Sequence, residues 1–171
     1  MKESKLNRNC IDHVLRACPR GVYYKIADKF TGGIPDSVFT WSGFTWWLEF
    51  KILDPNESIH DQLDKQQLIE LIHLERECGR AWVIAFRRAN TRKLVLPRTI
   101  IYRPSALWDK AVPRAVDVCV TAEGRARARA EVLFDLRERG VAEFSGFDYK
   151  AVSELIHLQA PGQRCESLSP R

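Results

Sequence analysis

Two strand-like runs separated by only two residues constrain this chain more than any other feature. Ser37 to Trp41 and Phe44 to Ile52 are dense in β-branched and aromatic residues, and Ser42-Gly43 joins them as a tight hairpin would. Asp54-Pro55-Asn56 then breaks the sheet pattern. Leu63, Leu68, Leu71, Ile72 and Leu74 recur at helical spacing, which predicts a helix from about Asp61 to Cys78 with Gly79 as its C-terminal cap. Ala81 to Phe86 is a short apolar run suited to a buried strand. The helical crossover between Ile52 and Trp82 makes that strand a parallel neighbour. Upstream, Cys10, Val14 and Leu15 give an apolar side to a helix from Leu6 to Ala17, ended by Pro19-Arg20-Gly21. Val22 to Ile26 reads as a strand and Asp28 to Gly33 as a loop. The order helix, three strands, helix, strand predicts an α/β fold with a mixed central β-sheet flanked by helices.

Beyond residue 90 the pattern is weaker. Leu94 to Tyr102 predicts a strand interrupted by Pro97, and Ala122 to Arg139 a solvated, arginine-rich helix. Val141 to Phe147 reads as an edge strand, and Tyr149 to Leu158 as a final helix. The expected organisation is a core over 1–96, an extension over 97–159 packed on it, and a disordered Pro/Gly/Ser-rich tail over 160–171. At 171 residues, with 45% hydrophobic and 29% charged side chains, the composition is that of a folded domain and excludes a disordered chain.

Several function classes drop out. There is no signal-peptide pattern and no run long enough to span a bilayer, so the expectation is a cytoplasmic protein that does not engage a membrane. Five scattered cysteines with no CxxC pair argue for free thiols and against a zinc site. No P-loop or GxGxxG string is present. The net charge of +5 favours a polyanion as partner.

The segment that carries chemistry is Gly33-Ile34-Pro35-Asp36, thirteen residues before Glu49, followed by Phe50 and Lys51. Strand alternation puts Glu49 and Lys51 on one face, with Leu48, Phe50 and Ile52 on the other. A carboxylate flanked by Trp46, Trp47, Leu48 and Phe50 is costly unless something pairs with it. If Asp36 begins the neighbouring hairpin strand, its carboxylate lies beside that of Glu49, and a divalent cation would relieve the repulsion. Oxygen ligands without His or Cys suit Mg²⁺ or Mn²⁺. Lys51 could orient or activate a water, or neutralise charge developing on a phosphate.

The pattern Pro35-Asp36 … Glu49-Phe50-Lys51 resembles the signature of the PD-(D/E)XK nuclease superfamily, and the element order is similar to its restriction-endonuclease-like core (αβββαβ). Lys25 to Lys29, Gly33 to Asp36 and Trp47 to Lys51 together most resemble the VRR-NUC branch and its phage-encoded relatives, close to Holliday-junction-resolvase-like nucleases. The resemblance covers roughly residues 1 to 88, about half of a chain of this domain size. It implies metal binding by Asp36, Glu49 and the Phe50 carbonyl, and a catalytic role for Lys51. It implies a glutamine on the following helix that helps place the water, with Gln67 fitting best and Gln66 and Gln62 open. A first-helix glutamate often completes the metal shell. Glu3 is the residue available, with Asp12 a weaker substitute. The implied function is Mg²⁺- or Mn²⁺-dependent hydrolysis of DNA, structure-selective for branched or junction DNA, in the host cytoplasm if the gene is a phage's. Junction cleavage would suit a homodimer.

Blander readings stand beside these. Glu49 and Lys51 alone would be a cross-strand salt bridge on a solvated face. Pro35-Asp36 alone would be a turn, and Asp28-Lys29 a loop pair. Trp46 belongs with the core; Trp47 packs under the first helix or stacks on a displaced base, packing being favoured. His60 and His73 read as helix-surface residues. From Gly79 to Trp108 seven basic residues (Arg80, Arg87, Arg88, Arg92, Lys93, Arg98, Arg103) meet no Asp or Glu, and Arg80, Arg87, Arg88, Arg92 and Lys93 are expected to contact the DNA backbone. The rival functions are a non-catalytic nucleic-acid-binding module that kept the fold, and a structural or regulatory subunit.

Overall fold

A computed structural model describes residues 3–26, 33–90, 96–108, 133, 136 and 140–160. The elements are α1 (Glu3–Ala17), β1 (Val22–Lys25), β2 (Ser37–Trp41), β3 (Phe44–Leu53), α2 (Lys65–Cys78), β4 (Ala81–Arg87), β5 (Arg98–Tyr102), β6 (Val141–Ser145) and α3 (Tyr149–Gln159). Short 3-10 turns lie at Ile59–Asp61 and Pro104–Leu107.

The strands form one six-stranded sheet in sequence order. Every pairing is antiparallel except β3 with β4, which is parallel across the α2 crossover. The fold is therefore α/β, with a mixed sheet flanked by helices. Ser42 and Gly43 both take positive φ, 50° and 80°, as a two-residue hairpin whose twist matches its strands requires.

The two sheet faces carry different cores. Trp46, Leu48, Phe50, Trp82, Ile84 and Phe86 point to the side covered by α1 and α3. Leu53, Ala81, Val83, Ala85, Ile100 and Tyr102 point to the α2 side, where Leu71 and Ile59 cover them. Trp47 packs on this second side, with Leu63, Leu68 and Leu74 nearby. It therefore lies under α2, not under the first helix, because its odd position in β3 sends it to the face opposite α1.

The ends of elements differ from the sequence expectation for local reasons. The α2 helix begins at Lys65, not Asp61, because Asp64 caps it by accepting from the Gln67 N–H at 2.7 Å. Asp61 instead closes a capping box with Ser58 on the preceding 3-10 turn. The parallel ladder carries β3 on to Leu53, whose carbonyl accepts from the Arg88 N–H. Just after Pro97, which has no N–H to give the ladder, β5 begins. At the far edge β6 stops at Ser145, and the Gly146 N–H turns to the Pro97 carbonyl.

Residues 98–102 and 141–145 supply two of the six strands, and α3 packs against α1, so this part of the chain shares the sheet and core of the first part. Most of the span expected as an arginine-rich helix, 122–139, lies outside the described residues. Leu133 and Leu136 are described; both are helical and buried, three residues apart on one apolar stripe. Ala160, expected to open the disordered tail, is buried; 161–171 lie outside the described residues, as does the Asp28-Lys29 pair. Cys10, Cys18 and Cys78 are free thiols. No helix among the described residues is long and apolar enough to cross a membrane.

Candidate active site

In the antiparallel register of β2 and β3, Ser37 faces Leu48. One step further puts Asp36 opposite Glu49, and opposite residues of a ladder share a face. The Asp36 main-chain N–H donates to Glu49 Oε2 at 2.9 Å. The Asp36 carboxylate is close enough to push the Glu49 pKa upward.

Glu49 is fully buried. Two further donors meet it on Oε1: Lys51 Nζ at 2.8 Å and Gln67 Nε2 at 2.8 Å. Lys51 shares the Glu49 face, as alternation requires, and its side chain retains 16% exposure. It does not point into the core. Burial raises the Glu49 pKa above the ordinary carboxylate value. The Lys51 hydrogen bond and charge and the Asp36 N–H pull it back. A surface salt bridge does not describe this pair: a carboxylate with no exposure bears a desolvation cost that an ion pair alone seldom recovers.

The three glutamines separate cleanly. Gln67 reaches Glu49. Gln66 donates to Glu70 Oε1, and Gln62 to Glu57. Helix phase decides this, since α2 turns Gln67 toward the sheet and Gln66 a hundred degrees away. Phe50 sends its ring to the far side, stacked on Phe86 with centroids 6.3 Å apart. Asp12 is exposed on α1, which covers the face opposite Glu49, so it does not join the site. Glu3 opens α1, and its side chain lies outside the described residues.

The described residues of the basic run have partners within the fold. Arg80 stacks over the Phe44 ring at 4.3 Å, beyond the end of the ladder remote from Lys51. Arg87, in register with Leu53 and so on the Glu49 face, donates to the Glu57 carbonyl at 3.2 Å. Arg88 pairs with Asp54 at 2.9 Å, Arg98 with Glu143, and Arg103 with Glu75. Arg87 and Arg88 thus anchor the segment that follows β3. Arg92 and Lys93 lie outside the described residues. The acids that meet these arginines come from distant segments, which a count along the run does not see. His73 is exposed, whereas His60 sits on the first 3-10 turn with Nε2 buried.

Sequence reasoning did not anticipate that Asp36 holds Glu49 through its main chain. It also missed how tightly Gly33 sits against α2. Gly33 has φ of 106°, and a Cβ there would lie 3.0 Å from Gln66 Cγ and from Glu70 Cγ. The Gly-x-Pro-Asp string was the available signal: a glycine three residues before the acid marks a close backbone approach.

The donor set is two carboxylates and neighbouring carbonyls, which is the hard-oxygen chemistry of Mg²⁺ or Mn²⁺, ions that bind through one or two carboxylates and keep several waters. No group of three or more His, Cys, Asp or Glu arranged to hold a metal occurs among the described residues. The residues present fit a water-rich Mg²⁺ site and not a closed protein cage.

No protein-family model matches the chain, and a search of curated proteins finds no match. Among solved structures, Hjc, a Holliday junction resolvase from the archaeon Archaeoglobus fulgidus, is similar at 14% identity. The similarity covers 61% of this chain and 79% of that one, with a TM-score of 0.42, and is too distant to carry a function across.

Proposed function

We propose that this chain is a divalent-cation-dependent DNA endonuclease, selective for branched or junction DNA. The observation that carries the reading is the fully buried Glu49 carboxylate, cross-strand from Asp36 and paired with Lys51 at the solvent margin. Burying the Glu49 carboxylate on a face otherwise lined by Val83, Ala85 and Leu71, with Asp36 and Lys51 half-buried beside it, costs stability. Perturbed acids of this kind concentrate where chemistry is done.

Asp36 and Glu49, with the Phe50 carbonyl, would hold Mg²⁺ or Mn²⁺. When bound, the cation supplies charge neutralisation for the two acids and Lewis-acid polarisation of a phosphate oxygen. Lys51, partly exposed, is placed to orient a water for in-line attack or to stabilise charge on the phosphate. No Ser-His or Cys-His pair is needed, because water is the nucleophile. The preference for junctions comes from the sequence resemblance, and a homodimer would suit two symmetric cuts.

The test is cleavage of branched, flap, single-stranded and linear duplex DNA with Mg²⁺, Mn²⁺ or EDTA, using wild type, Asp36→Ala and Lys51→Ala. Metal-dependent cleavage of branched substrates, lost in both variants, is expected. Cleavage that survives both substitutions would falsify the site. Binding of DNA without cleavage by wild type would favour the non-catalytic module instead.

A further inference from the structure

This inference rests on the nuclease reading and assigns a division of labour within it. An ionised carboxylate has about four acceptor positions, two on each oxygen. Glu49 fills both on Oε1, with Lys51 Nζ and Gln67 Nε2, and one on Oε2, with the Asp36 N–H. Among the described residues, the position left open is on the oxygen beside Asp36.

Something must hold the carboxylate in that setting, since its terminal torsion is soft. A lysine ammonium on a flexible stem is a weak anchor. Gln67 is a firmer one. It stands in the first turn of α2, where its N–H is fixed by Asp64. The same two turns of α2 also seat the segment that carries Asp36. A Cβ at Gly33 would meet Gln66 Cγ and Glu70 Cγ at 3.0 Å and the Gln66 carbonyl at 3.1 Å, which leaves no slack between helix and loop. The start of α2 therefore registers both acids, one through Gln67 and the other through the Gly33 contact.

We propose that Gln67 is a positioning residue. It holds Glu49 Oε1 so that Oε2 stays available beside Asp36, and it does not contact the attacking water or the phosphate. The sequence resemblance implied the opposite role, a glutamine that helps place the water.

Calorimetric Mn²⁺ titration without DNA, paired with cleavage rates across Mn²⁺ concentrations, separates the two. Gln67→Met keeps the volume and loses the donor. It is expected to weaken Mn²⁺ binding by roughly 10- to 100-fold, the usual effect of losing a partner of a metal ligand. Its rate at saturating Mn²⁺ should stay within severalfold of wild type. Gly33→Ala should weaken Mn²⁺ binding in the same way. Gly43→Ala is its control, with a similar positive φ but open space around it, and should leave binding unchanged. Unchanged Mn²⁺ affinity in Gln67→Met, with a saturated rate down about 100-fold as for loss of a transition-state contact, overturns the proposal. Equal loss of affinity in Gly33→Ala and Gly43→Ala removes the part assigned to the α2 contact. Wild type that neither binds Mn²⁺ nor cleaves overturns the nuclease reading, and this inference with it; failure confined to the variants' behaviour touches this inference alone.

Discussion

The two faces of β3 and β4 solve opposite problems with residues one position apart. Trp46, Leu48, Phe50, Trp82 and Phe86 fill the side under α1 and α3. Two large polar groups of that face share one acceptor: the Trp46 and Trp82 indoles both donate to Gln159 Oε1 at 3.0 Å. On the α2 side, Glu49 is equally buried, yet its partners are Lys51, Gln67 and the Asp36 N–H, gathered at the edge of solvent. One polar group serves packing, with both indole donors satisfied by a single oxygen. The other retains, among the described residues, an unfilled acceptor position, and its pKa is raised. Stability is concentrated on the first face, and capacity for chemistry on the second.

That contrast can be broken from either side. The largest effect is expected from Phe86→Ala, which empties a fully buried ring from a contact with Phe50, Phe147 and Tyr149. It should cost about 3–5 kcal/mol in urea denaturation and leave the Mn²⁺ affinity of the folded protein unchanged. Next, Lys51→Ala should lower the cleavage rate by about 10²–10³-fold with the circular dichroism spectrum preserved, as removal of a charge-stabilising group does. A loss of fold in that variant would mean the α2 face is structural.

Gln159→Leu orphans two indole N–H groups, and about 2–4 kcal/mol of destabilisation should follow in the same denaturation assay. Metal binding should be unaffected; a parallel loss of Mn²⁺ binding would show that the faces are coupled. The smallest effect concerns pH. The folded chain binds the Glu49 proton more tightly than the unfolded chain does. This group therefore adds stability below the ordinary carboxylate value, and the contribution is lost as pH rises through its folded pKa. Metal-free wild type should lose stability over that interval relative to Glu49→Gln, read as urea midpoints against pH. Parallel curves for the two proteins would contradict the burial of an ionising Glu49.

Much of this was legible in the sequence, and the legible part has one physical basis. A hairpin turn, a period-two alternation and a helix cap are each encoded within a few neighbouring residues. Ser42-Gly43 determined the β2–β3 hairpin, alternation determined that Glu49 and Lys51 share a face, and the apolar run at Ala81 determined a buried strand. What the tertiary structure decided involves partners distant along the chain. It decided that Gln67, and not Gln66 or Gln62, meets Glu49, because α2 starts only at Lys65, past Gln62, and packs its Leu68–Leu71–Leu74 stripe on the sheet, which turns Gln67 and not Gln66 toward Glu49. In the basic run downstream of Gly79, Arg88, Arg98 and Arg103 are met by Asp54, Glu143 and Glu75, acids the run does not contain. The structure decided, finally, that the Glu49 carboxylate has no exposure at all. Alternation can give a carboxylate its direction, but only the closing of α2 over the sheet removes the water around it, and the raised pKa comes from that removal.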